Sequence, residues 1–313
     1  MRAVAIDRFG SADELHLVDL PLPEPGAGQV RVKVAAAGVN PLDYKIRDGS
    51  SGLVKDFDPA NFPLVLGREC AGVVDAVGEG ITGLAVGQRV FGMAPLAHPG
   101  GCYAEYVVLP ADCLAVSPSE VDDLVLAGAA LVGLTAWVAV HDLARVRSGD
   151  VVLVHGGAGG VGQVVVQLAV AAGAQVYATS GPANRDRIEA MGATHIDYTS
   201  VDFRTAVPSP QVIVDGVYFG TYEPSMDHLA PGGRLVVLPS LADLAPARER
   251  GIDVSVPSIT ADRSRLDRLA AMIAARSLSL EVGHVFRLAE AAAAHRQVET
   301  GHTRGKIVLT VAC

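Results

Sequence analysis

The sequence is short of several residue types that mark particular classes of protein. Its four cysteines, Cys70, Cys102, Cys113 and Cys313, lie far apart and form no C-x-x-C pair, which excludes a disulfide-rich scaffold and predicts reduced, mostly buried thiols. Aromatic residues are only 5% of the chain, and 25 Lys and Arg are outnumbered by 34 Asp and Glu. The net charge of −9 and the lack of a basic run argue against nucleic acid or an anionic membrane as a partner. No apolar segment reaches spanning length without glycine or charge, and residues 2–7 resemble a strand rather than a signal peptide, so we expect a cytoplasmic protein.

The sequence does have a hydrophobic content of 50% in Val- and Ala-rich runs, which is typical of an α/β protein, and its 313 residues suffice for two domains. Residues 1 to about 118 contain strand-like runs punctuated by glycine and proline, at 29–34, 71–77, 89–91 and 103–108. Acidic residues after Pro118 open a helical stretch that we expect to break at Gly133 and to end at Ala144. From Val151 strands and helices alternate, with later strands at 211–215 and 234–238, and a last strand at 306–311 is expected to return to the first domain.

A glycine loop follows the first strand of the alternating region. The apolar run 151–154 leads through His155 into a loop in which Gly157, Gly159 and Gly162 fit G-x-G-x-x-G, with an amphipathic helix after it. Such glycines permit a tight turn, close approach of the backbone to phosphate and close helix packing, while the helix N-terminus attracts an anion. We therefore predict that a dinucleotide pyrophosphate is bound by Gly157, Ala158, Gly159, Gly160, Val161 and Gly162.

The end of the second strand, predicted over 174–179, indicates which dinucleotide binds. An acidic residue there would bind the ribose 2′-hydroxyl of NAD, but none occurs from Val151 through Arg185. Instead Ser180 ends the strand and Arg185 and Arg187 follow, and a hydroxyl with guanidinium groups suits a 2′-phosphate. The sequence favours NADPH, with Ser180 and Arg185 as its contacts. The alternative is that the arginines are ordinary solvated helix residues.

Eight blocks in order along nearly the whole chain carry a family resemblance. They are residues 38–43, 67–78, 87–92, 101–106, 134–137, 156–162, 192–198 and 301–309. In these blocks the sequence resembles the medium-chain dehydrogenase/reductase superfamily and, within it, the zinc-free quinone oxidoreductase branch. The resemblance implies a GroES-like β-barrel catalytic domain over 1–119, completed by 280–313, and a doubly wound, parallel-sheet Rossmann domain over 120–279, with NADPH and a small-molecule substrate in the cleft between them.

The resemblance also implies contacts outside the glycine loop. Tyr198, Arg304 and Lys306 are expected to bind the cofactor, although the two basic side chains would equally suit simple solvation. A homodimer is expected, with the edge of the Rossmann sheet near residues 234–238 and the following loop as the contact.

The same resemblance argues against zinc. Zinc-dependent relatives place a cysteine where this chain has Asn40 and a histidine where it has Arg68, and their third ligand falls near Val132, while this chain has no cysteine between Cys113 and Cys313. Catalytic zinc needs three side-chain ligands, and the four closely spaced cysteines of the structural zinc lobe are also missing. We predict that the protein holds no metal.

Without a Lewis acid, the enzyme needs a substrate whose carbon is already activated by conjugation, such as a quinone, enone, enal or enoyl thioester. Asn40 is the first candidate for orienting groups near the nicotinamide, because its amide donates without titrating; the alternative is a turn residue before Pro41. Tyr44 is the second candidate, as donor of a proton or hydrogen bond to the developing oxyanion; the alternative is a tyrosine packed with its hydroxyl at the surface.

Three functions stay open on these residues. The first is an NADPH-dependent, metal-independent reductase of quinones or α,β-unsaturated carbonyl compounds. The second is a dedicated biosynthetic enoyl reductase acting in trans on a natural-product or carrier-bound intermediate, and the third is a catalytically idle NADPH-binding protein. Fold alone does not choose among them.

Overall fold

The computed structural model describes residues 1–96, 98, 100–239 and 242–311, so Cys313 lies outside the described residues. The chain forms two compact units, Met1–Leu131 with Thr260–Cys313, and Val132–Ile259. These bounds differ from the domain limits of 119/120 and 279/280 expected from the sequence. The difference at the C-terminal side arises because the helix Arg263–Ala274 packs on the strand Leu114–Val116 of the first unit.

The N-terminal part of the chain supplies most strands of the first unit. Its elements are β1 (Arg2–Ile6), β2 (His16–Asp19), β3 (Gln29–Val39), α1 (Pro41–Arg47), β4 (Leu64–Val65), β5 (Glu69–Val77), β6 (Arg89–Met93), β7 (Tyr106–Pro110), β8 (Leu114–Val116) and α2 (Asp123–Trp137).

The second unit alternates strand and helix. Its elements are β9 (Val151–His155), α3 (Gly160–Ala171), β10 (Gln175–Ser180), α4 (Arg185–Ala190), β11 (Thr194–Asp197), α5 (Phe203–Ala206), β12 (Val212–Asp215), α6 (Tyr222–His228), β13 (Arg234–Val237), α7 (Ala245–Glu249) and β14 (Asp253–Ser255). All its strand pairs are parallel, in the order β11-β10-β9-β12-β13-β14. Counted from β9 this is the order 3-2-1-4-5-6 of a dinucleotide-binding doubly wound sheet.

The C-terminal part completes the first unit. Its elements are α8 (Arg263–Ala274), β15 (Val282–Arg287), α9 (Ala291–Glu299) and β16 (Lys306–Thr310). β16 pairs antiparallel with β3 in a seven-stranded sheet of order β15-β16-β3-β5-β6-β8, to which β7 adds by pairing with β3. A second sheet has the order β2-β1-β4. The return of the last strand to the first unit, predicted from the sequence, is therefore observed.

The alternation of β3 explains how the first unit buries its core. Val30, Val32 and Val34 point inward and are at most 4% exposed, while Arg31 and Lys33 between them point to the other face. The far end of β3 is buried on both faces, because Gly38 lacks a side chain. A Cβ at Gly38 would lie 2.2 Å from Glu69 Oε1 and 2.6 Å from the Ala127 carbonyl oxygen. Glycine at this position thus lets β5 and α2 approach the strand.

Three expectations about local structure are wrong. α2 runs through Gly133 without a break, because its neighbours on both sides are buried apolar residues, and a π-helical stretch, Val138–Leu143, continues it. Strand β7 begins at Tyr106, so Tyr103 lies before the strand that was expected over 103–108. β13 is not at a sheet edge, since β14 pairs with it, and the loop after β13 includes Ser240 and Leu241, which lie outside the described residues.

One helical segment, Asp123–Leu143, is long and apolar enough to cross a membrane by length and composition alone. Of its most apolar window, 72% is buried inside the protein, which is what a core helix shows. This segment therefore gives no separate indication of a membrane partner.

Candidate active site

The glycine loop of the second unit is held against strand β10. The Gly157 N–H donates to the Thr179 carbonyl at 3.0 Å, and Gly156, with φ +76°, turns the chain so that the Gly159 N–H donates to the Gly156 carbonyl at 3.0 Å. Helix α3 then begins at Gly160 with Gly159 as its N-cap, and no side chain caps this end. The first amides of a twelve-residue helix are thus left for another acceptor.

The space around each loop glycine shows whether the fold itself requires a glycine there. A Cβ at Gly162 would lie 2.1 Å from the Gly156 oxygen, and a Cβ at Gly157 would lie 2.7 Å from Ala178 Cβ, so the fold itself requires both glycines. At Gly159 the only neighbour is the Gly156 oxygen at 3.3 Å, and φ is an ordinary −77°. The open side at Gly159, here called the cradle, leaves the room that the predicted pyrophosphate would need and that a larger side chain would fill.

The predicted ribose contacts lie along the same edge of the sheet, where the parallel strands β9, β10 and β11 end. Ser180 is the last residue of β10, is buried, and donates its hydroxyl to the Gly181 carbonyl at 3.3 Å. Tyr198 follows β11 and is exposed. Arg185 begins α4 with an exposed ion pair to Glu189 at 3.3 Å, which is weak enough to open for a phosphate. These residues and Gly157, Ala158, Gly160 and Val161 share one unit, and their contacts with a cofactor stay predictions.

Two further side chains, Arg187 and His155, support the loop. Arg187 donates to the Ala158 carbonyl at 3.0 Å and to Gln163 Oε1 at 2.5 Å, so it braces the turn from α4. His155 is buried, and its ring nitrogens lie 3.1 Å from Thr179 Oγ1 and 3.1 Å from Ser225 Oγ. Burial lowers the pKa of His155, with Asp215 opposing, so the ring is a neutral scaffold. In the sequence, this role of Arg187 could have been inferred only from the face of the predicted helix on which the residue lies.

In the first unit, Asn40 belongs to a buried group with Lys306 and Glu69, here called the Lys306 cluster. Lys306 Nζ donates to Asn40 Oδ1 at 2.6 Å, to Glu69 Oε1 at 2.9 Å and to the Val39 carbonyl at 3.0 Å. Asn40 Nδ2 donates to Glu69 Oε1 at 2.8 Å, and Glu69 Oε2 accepts the Leu131 N–H at 2.7 Å. All three side chains are at most 3% exposed. A buried charge needs a partner, and here an internal ion pair provides it.

The Lys306 cluster corrects the expectation for Lys306, whose ammonium is used inside its own unit and not held out toward a phosphate or toward solvent. Within the cluster the Asn40 side-chain oxygen accepts from Lys306 and its nitrogen donates to Glu69, so both ends of this amide have partners inside the protein. Arg304 is about half exposed and pairs with Glu281 at 2.8 Å. Tyr44 is half-buried, and burial with the nearby charges of Asp48 and Glu299 raises its pKa, which makes its phenol a poorer proton donor.

A chain of hydrogen bonds leads from α1 to α9. Asp43 Oδ2 accepts the Asn40 N–H at 2.8 Å and the Tyr103 hydroxyl at 3.1 Å, and the Tyr103 oxygen lies 3.3 Å from His295 Nε2. Arg47 lies 3.2 Å from His295 Nδ1 and pairs with Glu299. Burial raises the pKa of Asp43 to about 6, and burial together with Arg47 lowers that of His295 to about 3.

His295 should therefore make the fold sensitive to acid. Below about pH 6.5 the unfolded chain takes up a proton on this residue while the folded protein does not, so stability falls as pH decreases toward 3. Between about pH 6.5 and pH 4.5 the free energy of unfolding of the parent protein should fall by about 2–3 kcal/mol more than that of His295→Gln. Urea unfolding of both proteins at each pH measures it. Asp43 has a raised pKa and so favours the folded state as pH falls, but it is present in both proteins and does not affect the comparison. Identical slopes of unfolding free energy against pH in the two proteins would contradict the assignment.

The positions where zinc relatives place ligands do not fit zinc. Asn40 holds an ammonium through its oxygen, and Arg68 presents a guanidinium. Among the described residues no group of three His, Cys, Asp or Glu side chains could hold a metal ion. The cation at this place is the Lys306 ammonium, 2.9 Å from Glu69. Metal independence remains a prediction that rests on this donor set.

Two protein families match the chain. The Alcohol dehydrogenase GroES-like domain matches residues 26–119, and the family described as Zinc-binding dehydrogenase matches residues 191–309. The second description names a metal that the residues of this chain do not suit.

Relatives match over nearly the whole chain. The 2-haloacrylate reductase of Burkholderia sp. is 33% identical over 98% of this chain and 98% of its own. The quinone oxidoreductase structure from Coxiella burnetii is 34% identical with a TM-score of 0.94, covering 100% and 99%. The Escherichia coli quinone oxidoreductase complexed with NADPH is 25% identical with a TM-score of 0.87, covering 99% and 100%. A mycocerosic acid synthase-like polyketide synthase of Mycobacterium tuberculosis is 33% identical over 96% of this chain, which spans only 15% of that synthase.

The glycine loop, the strand order and these matches define an oxidoreductase with a GroES-like and a Rossmann unit. The chain belongs to the medium-chain dehydrogenase/reductase superfamily, in its quinone oxidoreductase-like branch. The predicted family, fold class and NADPH-dependent oxidoreductase class are thereby confirmed.

Proposed function

We propose that the protein transfers hydride from NADPH to a quinone or an α,β-unsaturated carbonyl compound without a metal ion. The observation that carries the proposal is the Lys306 cluster, which places an ammonium where a zinc enzyme needs ligands. With no Lewis acid to polarise a simple carbonyl, the substrate must be activated by its own conjugation. The names of the quinone oxidoreductase and 2-haloacrylate reductase relatives agree with this substrate class.

NADPH supplies the hydride when it is bound, and the residues of the second unit decide how it is held. Gly160 and Val161 are the first two residues of α3, and their amides would bind the pyrophosphate for which Gly159 leaves room. Arg187 keeps the loop in this shape. The lack of an acid between the end of β10 and Arg185 leaves Ser180 and Arg185 to receive a 2′-phosphate.

Cofactor preference should follow from this end of the sheet. We expect NADPH to bind at least about tenfold more tightly than NADH, a difference of about 1.4 kcal/mol. Arg185→Ala should weaken NADPH binding alone, because NADH has no 2′-phosphate to lose contact with, and fluorescence titration of both nucleotides measures it. Arg204→Ala, which removes an exposed arginine paired with Asp202 in the same unit, is the matched control. Equal dissociation constants in the parent protein would refute the prediction.

The substrate class is tested with NADPH and a panel that contains a quinone, a 2-alkenal, a 2-alkenone and a saturated aldehyde. Nicotinamide absorbance should fall with one or more conjugated compounds and stay constant with the saturated aldehyde. Turnover of the saturated aldehyde at a similar rate would contradict the proposal. NADPH binding without turnover of any compound would leave the idle NADPH-binding protein as the better account.

The second candidate is an enoyl reductase for carrier-bound intermediates. It is favoured by the match to one segment of mycobacterial polyketide synthases, which is 15% of the length of those proteins. An enoyl thioester of pantetheine added to the same panel distinguishes the two. A kcat/KM for the thioester well above that of every free enone or quinone would favour this candidate.

The assembly and the location belong to the same proposal. We expect a homodimer in the cytoplasm, with the dimer contact at β14, the edge strand of the parallel sheet, in place of β13. Light scattering of the purified protein measures the assembly, and a monomer at all concentrations would contradict it.

A further inference from the structure

A fixed turn follows strand β12 in the second unit. Asp215, the last residue of β12, is fully buried, and its Oδ1 accepts the N–H groups of Val217 and Tyr218, each at 2.9 Å. Its Oδ2 accepts the Thr221 hydroxyl at 2.8 Å. These hydrogen bonds lie on both sides of residues 219 and 220, so they hold the turn in one shape.

The turn keeps Tyr218 in a strained conformation and leaves Phe219 in solvent. Tyr218 has φ +70°, which is rare for a bulky residue, while its hydroxyl accepts the Asp243 N–H at 3.0 Å and its ring packs on Tyr222. Phe219, the next residue, is 84% exposed. Strained backbone is concentrated at ligand-binding and active sites, and here it presents an aromatic ring to solvent.

The turn adjoins the glycine loop. β9 and β12 are parallel neighbours, with Asp215 opposite His155, so the turn and the loop leave the same edge of the sheet. A Cβ at Gly156 would lie 3.4 Å from Val217 Cγ2, which is van der Waals contact. The chain adds β10 and β11 on one side of β9 and β12 on the other, and dinucleotides bind in the crevice at such a switch point. Phe219 therefore lies two residues beyond a side chain that borders the predicted pyrophosphate site.

We propose that Phe219 stacks on the adenine ring of NADPH. This inference deepens the proposed function, on which it rests for the cofactor. Every base has a π-face, so an aromatic side chain can stabilise its binding by stacking. The 2′-phosphate predicted to bind Ser180 and Arg185 belongs to the adenosine half of the cofactor, so the same unit would hold both the phosphate and the base.

The exposure of Phe219 favours adenine over nicotinamide, the other ring of the cofactor. Hydride transfer needs a site from which water is excluded, and a ring that is 84% exposed does not line such a site. Adenine takes no part in the reaction and can be bound at the surface. Stacking would cover the exposed ring and remove apolar surface of both partners from water.

Binding of the cofactor and of its adenosine half tests the assignment without turnover. Phe219→Ala should raise the dissociation constants of NADPH, NADH and 2′,5′-ADP about tenfold, because all three contain adenine. Its Tm without ligand should equal that of the parent, since the ring is exposed. Phe219→Tyr keeps the aromatic face, so it is the matched control and should bind all three as the parent does. Isothermal titration calorimetry measures the affinities.

Two results would overturn the assignment. One is parent-like affinity of Phe219→Ala for all three compounds. The other is weaker binding of NADPH and NADH with unchanged binding of 2′,5′-ADP, which would place the ring on nicotinamide. The loss of NADH affinity also separates Phe219→Ala from Arg185→Ala, which should weaken only compounds that carry the 2′-phosphate.

A fluorescence measurement reports on the stacking itself. In Phe219→Trp, saturating 2′,5′-ADP should quench the tryptophan emission at position 219, whereas the parent, whose single tryptophan is Trp137, should show little change. Equal quenching in the two proteins would contradict the stacking. If 2′,5′-ADP binding depends on Phe219 but no compound of the substrate panel is reduced, the reductase function fails and the adenine site stands.

Discussion

Gly159→Val is expected to abolish most NADPH binding while leaving the fold intact. The position is open apart from the Gly156 oxygen at 3.3 Å, and its φ of −77° is accessible to any residue, so the branched side chain occupies the cradle and not the protein core. We expect the dissociation constant for NADPH to rise about 100-fold or more, which is about 2.7 kcal/mol. Fluorescence titration measures the affinity, and circular dichroism and melting report on the fold.

Gly162→Ala is the matched control within the same loop. A single methyl group there would meet the Gly156 oxygen at 2.1 Å, so the turn itself must move. This variant should lose both stability and affinity, whereas Gly159→Val loses affinity alone. Parent-like NADPH affinity in Gly159→Val would show that the pyrophosphate does not lie in this cradle.

Lys306→Met is expected to destabilise the protein strongly. It leaves the Glu69 carboxylate, which is fully buried, without its cation, and breaking a buried ion pair on one side costs about 3–5 kcal/mol. Urea unfolding measures the free energy of unfolding.

The double variant Lys306→Met with Glu69→Gln distinguishes a charge effect from loss of packing. The glutamine oxygen still accepts the Leu131 N–H, and no unpaired charge remains, so the double variant should unfold at a higher urea concentration than Lys306→Met alone. If the loss of unfolding free energy in the double variant equals the sum of the losses in Lys306→Met and Glu69→Gln, the ion-pair account is contradicted.

The second unit was largely predictable because its signals are local. A strand, a glycine loop and a helix follow one another within about 20 residues, and the missing acid before Arg185 can be read directly from the chain. The role of Arg187 was missed because it depends on which face of α4 meets the loop. The prediction that β13 lies at the edge of the sheet was wrong because the strand beyond it, β14, has only three residues and gives a weak sequence pattern.

The site in the first unit was less predictable because its contacts are distant in sequence. Asn40, Glu69 and Lys306 are separated by 29 and 237 residues, so only the pairing of β3 with both β5 and β16 brings them together. The family resemblance pointed to Asn40 and Lys306 separately but did not show that they bind each other. Glu69 and His295 carried no local signal, since a buried carboxylate and a buried imidazole are recognised only by what surrounds them.

The most direct test of the account is turnover by protein that has been shown to be free of metal. After exhaustive dialysis against phenanthroline, elemental analysis should find no stoichiometric zinc, and NADPH should still reduce a conjugated carbonyl substrate at the undialysed rate, since the cation beside Glu69 is the Lys306 ammonium. Loss of turnover on dialysis with recovery on addition of zinc would contradict the account.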